Sequence, residues 1–180
     1  VLGLAALAIG GICLAVAGGV FGYVLAFGDA ALSPAFAVAH VGGIALGGLV
    51  LAIGWIFVVR ASGEGYGGIF GGLAMVLGQV LGLWVRQNGA DAITTGLVTN
   101  LGLIVGLFLH LGALEDADFH GPRLAALLGL IGVGGSALSY LKKWNLPEWL
   151  GTTLAWSGAI GLALFGLSLT VSAVLKLRGR

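Results

Sequence analysis

Six uncharged runs dominate this sequence. They cover residues 1–28, 30–59, 65–85, 92–114, 124–141 and 149–175, and charge is confined to the stretches between them and to the tail. A helix crosses roughly 30 Å of hydrocarbon in about 20 residues, and every run is near or above that length. Lipid offers the backbone no water to bond, so a spanning segment is either a helix or a strand of a closed barrel. The alternation of apolar and polar residues that marks a barrel strand is absent. The expected fold is all-α, an integral membrane bundle of six transmembrane helices over about 1–27, 35–59, 67–85, 94–113, 123–141 and 149–175. Short loops join the helices into one domain. An even number of crossings puts both termini on the same side.

Composition excludes several function classes. Only 8% of the 180 residues are charged and 59% are hydrophobic, whereas a soluble domain carries about 25% charged residues. So few polar groups cannot clothe a water-exposed surface. A net charge of +1 supplies no basic patch for nucleic acid. Cys13 stands alone, which removes an internal disulfide and a Cys-based metal site. The first run lacks a basic leader segment and reads as a span rather than a signal peptide. Its first residue is Val1, so the natural start is expected upstream or a leader removed.

The N-terminal side is called side A and the opposite side, side B. Side A carries Arg60, Arg123, Lys176, Arg178 and Arg180, and side B carries Arg86, Lys142 and Lys143. The excess of basic residues points to side A as cytoplasmic. Both termini are then inside, and the expected setting is the inner or plasma membrane of a bacterium or archaeon. The first three helices show no repeat in the last three, which argues against an inverted-repeat transporter.

Apart from Arg123 at the first position of the fifth, no Asp, Glu, Lys or Arg falls inside an expected span. Pumps, ion channels and carriers of charged substrates usually place such groups at mid-membrane. Among the remaining polar residues His40 is the most informative. It lies near the side-B end of the second helix, among small residues. Two readings stand open. One is a hydrogen bond to a neighbouring carbonyl. The other is ligation of haem iron or another metal by a neutral nitrogen. His110 and His120 are expected on side A. With Glu115, Asp116 and Asp118 they read either as a metal site or as a solvated loop with a histidine favoured by the helix dipole. Ser136 and His40, both towards side B, read as a possible nucleophile and base. The order along the chain is the reverse of that in rhomboid proteases.

Trp84, Tyr140, Trp144 and Trp149 collect near side B and Trp55 near side A. They suit an interfacial aromatic belt or, on side B, a surface for stacking haem. Glycines four residues apart recur at Gly18/Gly22, Gly43/Gly47, Gly67/Gly71, Gly78/Gly82 and Gly102/Gly106. Small residues let helices approach closely in lipid, either inside the bundle or against another membrane subunit.

The segments Ala39-His40-Val41-Gly42, Asp91-Ala92-Ile93-Thr94-Thr95, Gly121-Pro122-Arg123-Leu124 and Ser139-Tyr140, with Trp144-Asn145, together resemble one family. They are similar to the CcmC/CcsA-type cytochrome c assembly proteins, over roughly residues 20–155. The family's Trp-rich core between helices 3 and 4 is missing here, and Ser139 stands where the family has a second outer histidine. The resemblance implies six helices and haem handled at the outer face. His40 would ligate the iron, and Trp84, Asp91, Tyr140, Trp144 and Trp149 would form the platform around it. It implies a carrier or chaperone rather than an enzyme. The alternative expectation is a non-catalytic membrane subunit of a larger respiratory, photosynthetic or transport complex, held through Gly-rich helix faces.

Overall fold

A computed structural model describes residues 1–27, 34–140 and 147–179. Six helices follow in order: α1 (Leu2–Phe27), α2 (Pro34–Ser62), α3 (Tyr66–Gln87), α4 (Ala92–Asp116), α5 (His120–Tyr140) and α6 (Glu148–Arg178). All six are long and apolar enough to cross a membrane. Several run past the uncharged segments and carry charge in their last turn, as Arg60 does in α2 and Lys176 and Arg178 in α6. Basic residues there complement the negative end of the helix dipole and reach the polar interface. Proline marks helix starts. Pro34 opens α2 and Pro147 caps α6, positions where a missing N–H costs nothing.

Each helix packs on its neighbour in sequence, and α6 returns to pack on α1. The bundle is therefore a closed ring of six antiparallel helices. Val1 and Lys176 line one small cavity together with Ser62 and Asp116, so both termini lie on side A. The ring has no lumen at its centre. Leu7, Leu14, Leu51, Met75, Leu107, Leu162, Phe165 and Leu169 fill it and are almost wholly buried. The outer face is equally apolar, with Ile12, Phe70, Leu77, Leu101, Phe108, Leu124 and Val171 exposed. Helices that are hydrophobic on every face belong in lipid.

Glycine faces glycine across five of the six interfaces. A Cβ at Gly132 would meet the backbone of Gly158, and Gly78 stands in the same way against Gly102. Gly48 lies against Gly72, Gly166 against Gly11 and Gly3 against Gly54. The α4–α5 interface has no such pair among the described residues. The glycines spaced four apart all lie against helices of this same chain: Gly43 against Ala17, for example, and Gly71 against His110. The open glycines are others, including Gly19, Gly42, Gly96 and Gly112.

Candidate functional site

The side-B half is built around His40. Gly43 lets α2 approach α1 until a Cβ at that position would lie 3.0 Å from the Cβ of Ala17. One turn away, this proximity brings His40 Nδ1 to 2.9 Å from the carbonyl oxygen of Ala17. A carbonyl only accepts, so Nδ1 donates, and in the neutral ring Nε2 keeps its lone pair. The Phe21 ring lies 5.3 Å from the imidazole, centre to centre. Phe21 also lines a cavity of about 370 Å³ between α1, α4, α5 and α6. Asn100, Ser136, Thr152 and Trp156 also line it. No ionised side chain does, so it suits an uncharged molecule. His40 does not line this cavity.

The other expected platform residues are spread around the ring. Trp84 is exposed near the end of α3, and Trp149 is exposed in the first turn of α6. Those two helices do not pack on each other. Asp91 has a clear structural task. It is the N-cap of α4, and its Oδ1 accepts the Thr94 N–H at 2.7 Å. That backbone bond holds the carboxyl below the usual carboxylate range. Tyr140 ends α5 with its side chain outside the described residues, and Trp144 lies outside them altogether.

Asp91 yields a prediction. Losing such a cap leaves a backbone donor of the first turn without its partner, so Asp91→Ala should lower the unfolding midpoint in detergent, whereas Asp91→Asn should keep it. The depressed carboxyl stabilises the fold above its unfolded value, and this contribution fades as pH falls through the lower folded value. The wild type should show that loss and Asp91→Asn should not. Equal midpoints for the Ala and Asn variants would refute the capping role.

The structure corrects two readings of side A. His110 is not solvated at a helix end. It is fully buried, with Nδ1 donating to the Gly106 carbonyl at 2.8 Å. His120 is exposed and pairs with Asp118 at 3.1 Å, so the two histidines share no site. Among the described residues no group of three His, Cys, Asp or Glu side chains is placed to hold a metal ion. Trp55 is likewise not a rim residue. It is fully buried, because Gly65 and Gly68 leave space where a Cβ would strike the indole. Gly65 also has φ +90°, a conformation that favours glycine. Trp55 makes edge contacts to His110 and to Phe119, and His110 makes one to Phe165. Lys176 closes this cluster towards side A, with Nζ 4.2 Å from the Phe119 ring centre and donating to the Ala117 carbonyl at 2.7 Å.

The Ser136–His40 pairing is not assembled, since α2 and α5 are not neighbours in the ring. Comparison with family models, curated proteins and solved structures finds no match. The site is therefore read from its own chemistry.

Proposed function

We propose that this chain is a membrane-embedded haem carrier that holds haem on its side-B face through His40 Nε2. The observation that carries the reading is the hydrogen bond from His40 Nδ1 to Ala17. A histidine that ligates a metal commonly donates its second ring N–H to a carbonyl, which fixes the tautomer and the ring direction. Gly42, two residues on, has open space around it, so a flat macrocycle meets no side chain there. When bound, haem would supply a redox-active iron; the chain supplies one imidazole, the Phe21 ring beside it and an apolar wall. The sequence resemblance to the cytochrome c assembly proteins supports the same reading. The bias of basic residues supports termini in the cytoplasm, and haem handling at the outer face would suit a bacterial or archaeal inner membrane.

The test is a reduced-minus-oxidised absorption spectrum of the gently purified protein, before and after added haemin. The native protein should show a Soret band, and His40→Ala should lose it while keeping its helical circular dichroism. A native protein that takes up no haem, or a band that survives in His40→Ala, refutes the proposal.

One observation favours a second reading, a non-catalytic subunit of a larger membrane complex. His40 is already satisfied by Ala17 and lines none of the cavities described here. Under that reading partner binding would survive His40→Ala. It would fail when leucine replaces an outward glycine such as Gly19 or Gly112, rather than the inward Gly43 or Gly78.

A further inference from the structure

On side A a groove of about 710 Å³ runs down the seam between α4 and α5. This is the interface at which no glycine faces a glycine among the described residues, so the two helices leave a furrow. Its lower wall is apolar and open to lipid, with Phe108 and Leu124 exposed by 64% and 75% and Leu127 beside them. Its upper end is charged, with Glu115, Asp116 and Arg123. From Phe108 to Asp116 a helix rises about 12 Å. The furrow thus starts at the membrane rim and descends well into the hydrocarbon.

The charges are arranged in two parts. Arg123 Nη2 donates to Glu115 Oε2 at 3.1 Å and ties the two helix ends across the mouth. A guanidinium has five N–H donors, and that bond uses one. Arg123 lies in the first turn of α5, where the positive end of the helix dipole favours an anion, although Pro122 beside it has no N–H to offer. Asp116 makes no ion pair among the described residues, and Glu115 keeps a second oxygen. His120, at the same rim, is held by Asp118. A cation site and an anion site therefore sit side by side above an apolar trough.

We propose that this groove binds a glycerophospholipid whose headgroup carries both a phosphate and a primary ammonium, the phosphatidylethanolamine class. Arg123 and the first turn of α5 take the phosphate. Glu115 and Asp116 take the ammonium, whose three donors match carboxylate oxygens. One acyl chain lies along Phe108, Leu124 and Leu127. A choline headgroup offers the carboxylates no donor, and an anionic glycerol headgroup offers them no cation. The site is on the opposite side of the membrane from His40 and does not depend on the haem reading.

The test is native mass spectrometry of the detergent-purified chain, titrated with phosphatidylethanolamine, phosphatidylcholine and phosphatidylglycerol of identical acyl chains. The ethanolamine lipid should bind most tightly, by roughly two- to fivefold over the choline lipid, the range expected for one charge pair at a wet site. Arg123→Gln should weaken all three lipids. Asp116→Asn, an exposed change that the fold should tolerate, should reduce the preference for ethanolamine over choline, because only Glu115 then remains for the ammonium. Equal binding of the three lipids overturns the proposal. So does a preference for phosphatidylglycerol, or an ethanolamine preference that is undiminished in Asp116→Asn.

Discussion

Gly132→Leu should separate α5 from α6, while Gly134→Leu, two residues away on the same helix, should leave the bundle nearly unchanged. A Cβ at Gly132 would press on the backbone nitrogen of Gly158 and the carbonyl carbon of Ser157, whereas a Cβ at Gly134 would meet nothing within 4 Å. Overpacking a core usually costs about 1–3 kcal/mol, and relief comes from rotamer shifts. Backbone has no rotamer to shift, so the helices themselves must part. Parting forfeits the van der Waals contact that holds helices together in lipid, where no hydrophobic drive replaces it. The expected cost of Gly132→Leu is therefore at the top of that range or above it, about 3 kcal/mol or more. α6 also closes the ring against α1, so the damage should reach both of its interfaces. Fluorescence-detected size exclusion after stepwise heating reads this directly. The Gly132 variant should lose its monodisperse peak at a clearly lower temperature than the Gly134 variant. Coincident melting of the two would contradict the close α5–α6 approach.

The number, order and approximate ends of the helices are legible in the sequence because charge punctuates it. Asp91, Arg86, Glu115 and Arg123 each stand at a turn, and lipid tolerates little charge between turns. What is not legible is which face of each helix looks inward. In a soluble protein the polar stripe gives that away. Here Leu107 is buried and Phe108, its neighbour, is 64% exposed, yet both are simply apolar. His110 reads as a helix-end histidine by its position in the chain. Its burial follows from Gly71 on α3, which leaves room for the imidazole, and only the α3–α4 pairing brings the two together. Trp55 is the same case, since Gly65 and Gly68 make its pocket across the α2–α3 turn. His40 stood open between a carbonyl partner and a ligand role. The carbonyl, Ala17, lies 23 residues away on another helix, beyond the reach of any local pattern. Asp91 fell within a motif-like segment, and its position at the start of α4 gives it a cap to make in any case.

Trp55→Ala should be the most damaging single truncation on side A, and its mechanism differs from that of Gly132→Leu. The indole is fully buried and is the largest such side chain among the described residues. It joins α2 to His110 on α4 and to Phe119 in the turn before α5. Truncating a buried aromatic in a soluble core costs about 3–5 kcal/mol, part of it transfer from water and part the cavity left behind. Unfolding within a bilayer returns the side chain to lipid, so the transfer part largely falls away and the packing part remains. The expected loss is then near the lower bound, about 3 kcal/mol. The polar atoms should contribute little. Among the described residues Trp55 Nε1 and His110 Nε2 have no hydrogen-bond partner, and removing such a group with its shape preserved is close to neutral. Trp55→Phe should therefore cost far less than Trp55→Ala, and His110→Leu, which also gives up the Nδ1–Gly106 bond, should cost about 1 kcal/mol. Reversible unfolding in mixed micelles, followed by tryptophan-independent far-ultraviolet circular dichroism, ranks the three. If Trp55→Phe proved as damaging as Trp55→Ala, the indole N–H would have to hold a partner, such as a buried water shared with His110, and the cluster would be a polar network rather than a packed aromatic one.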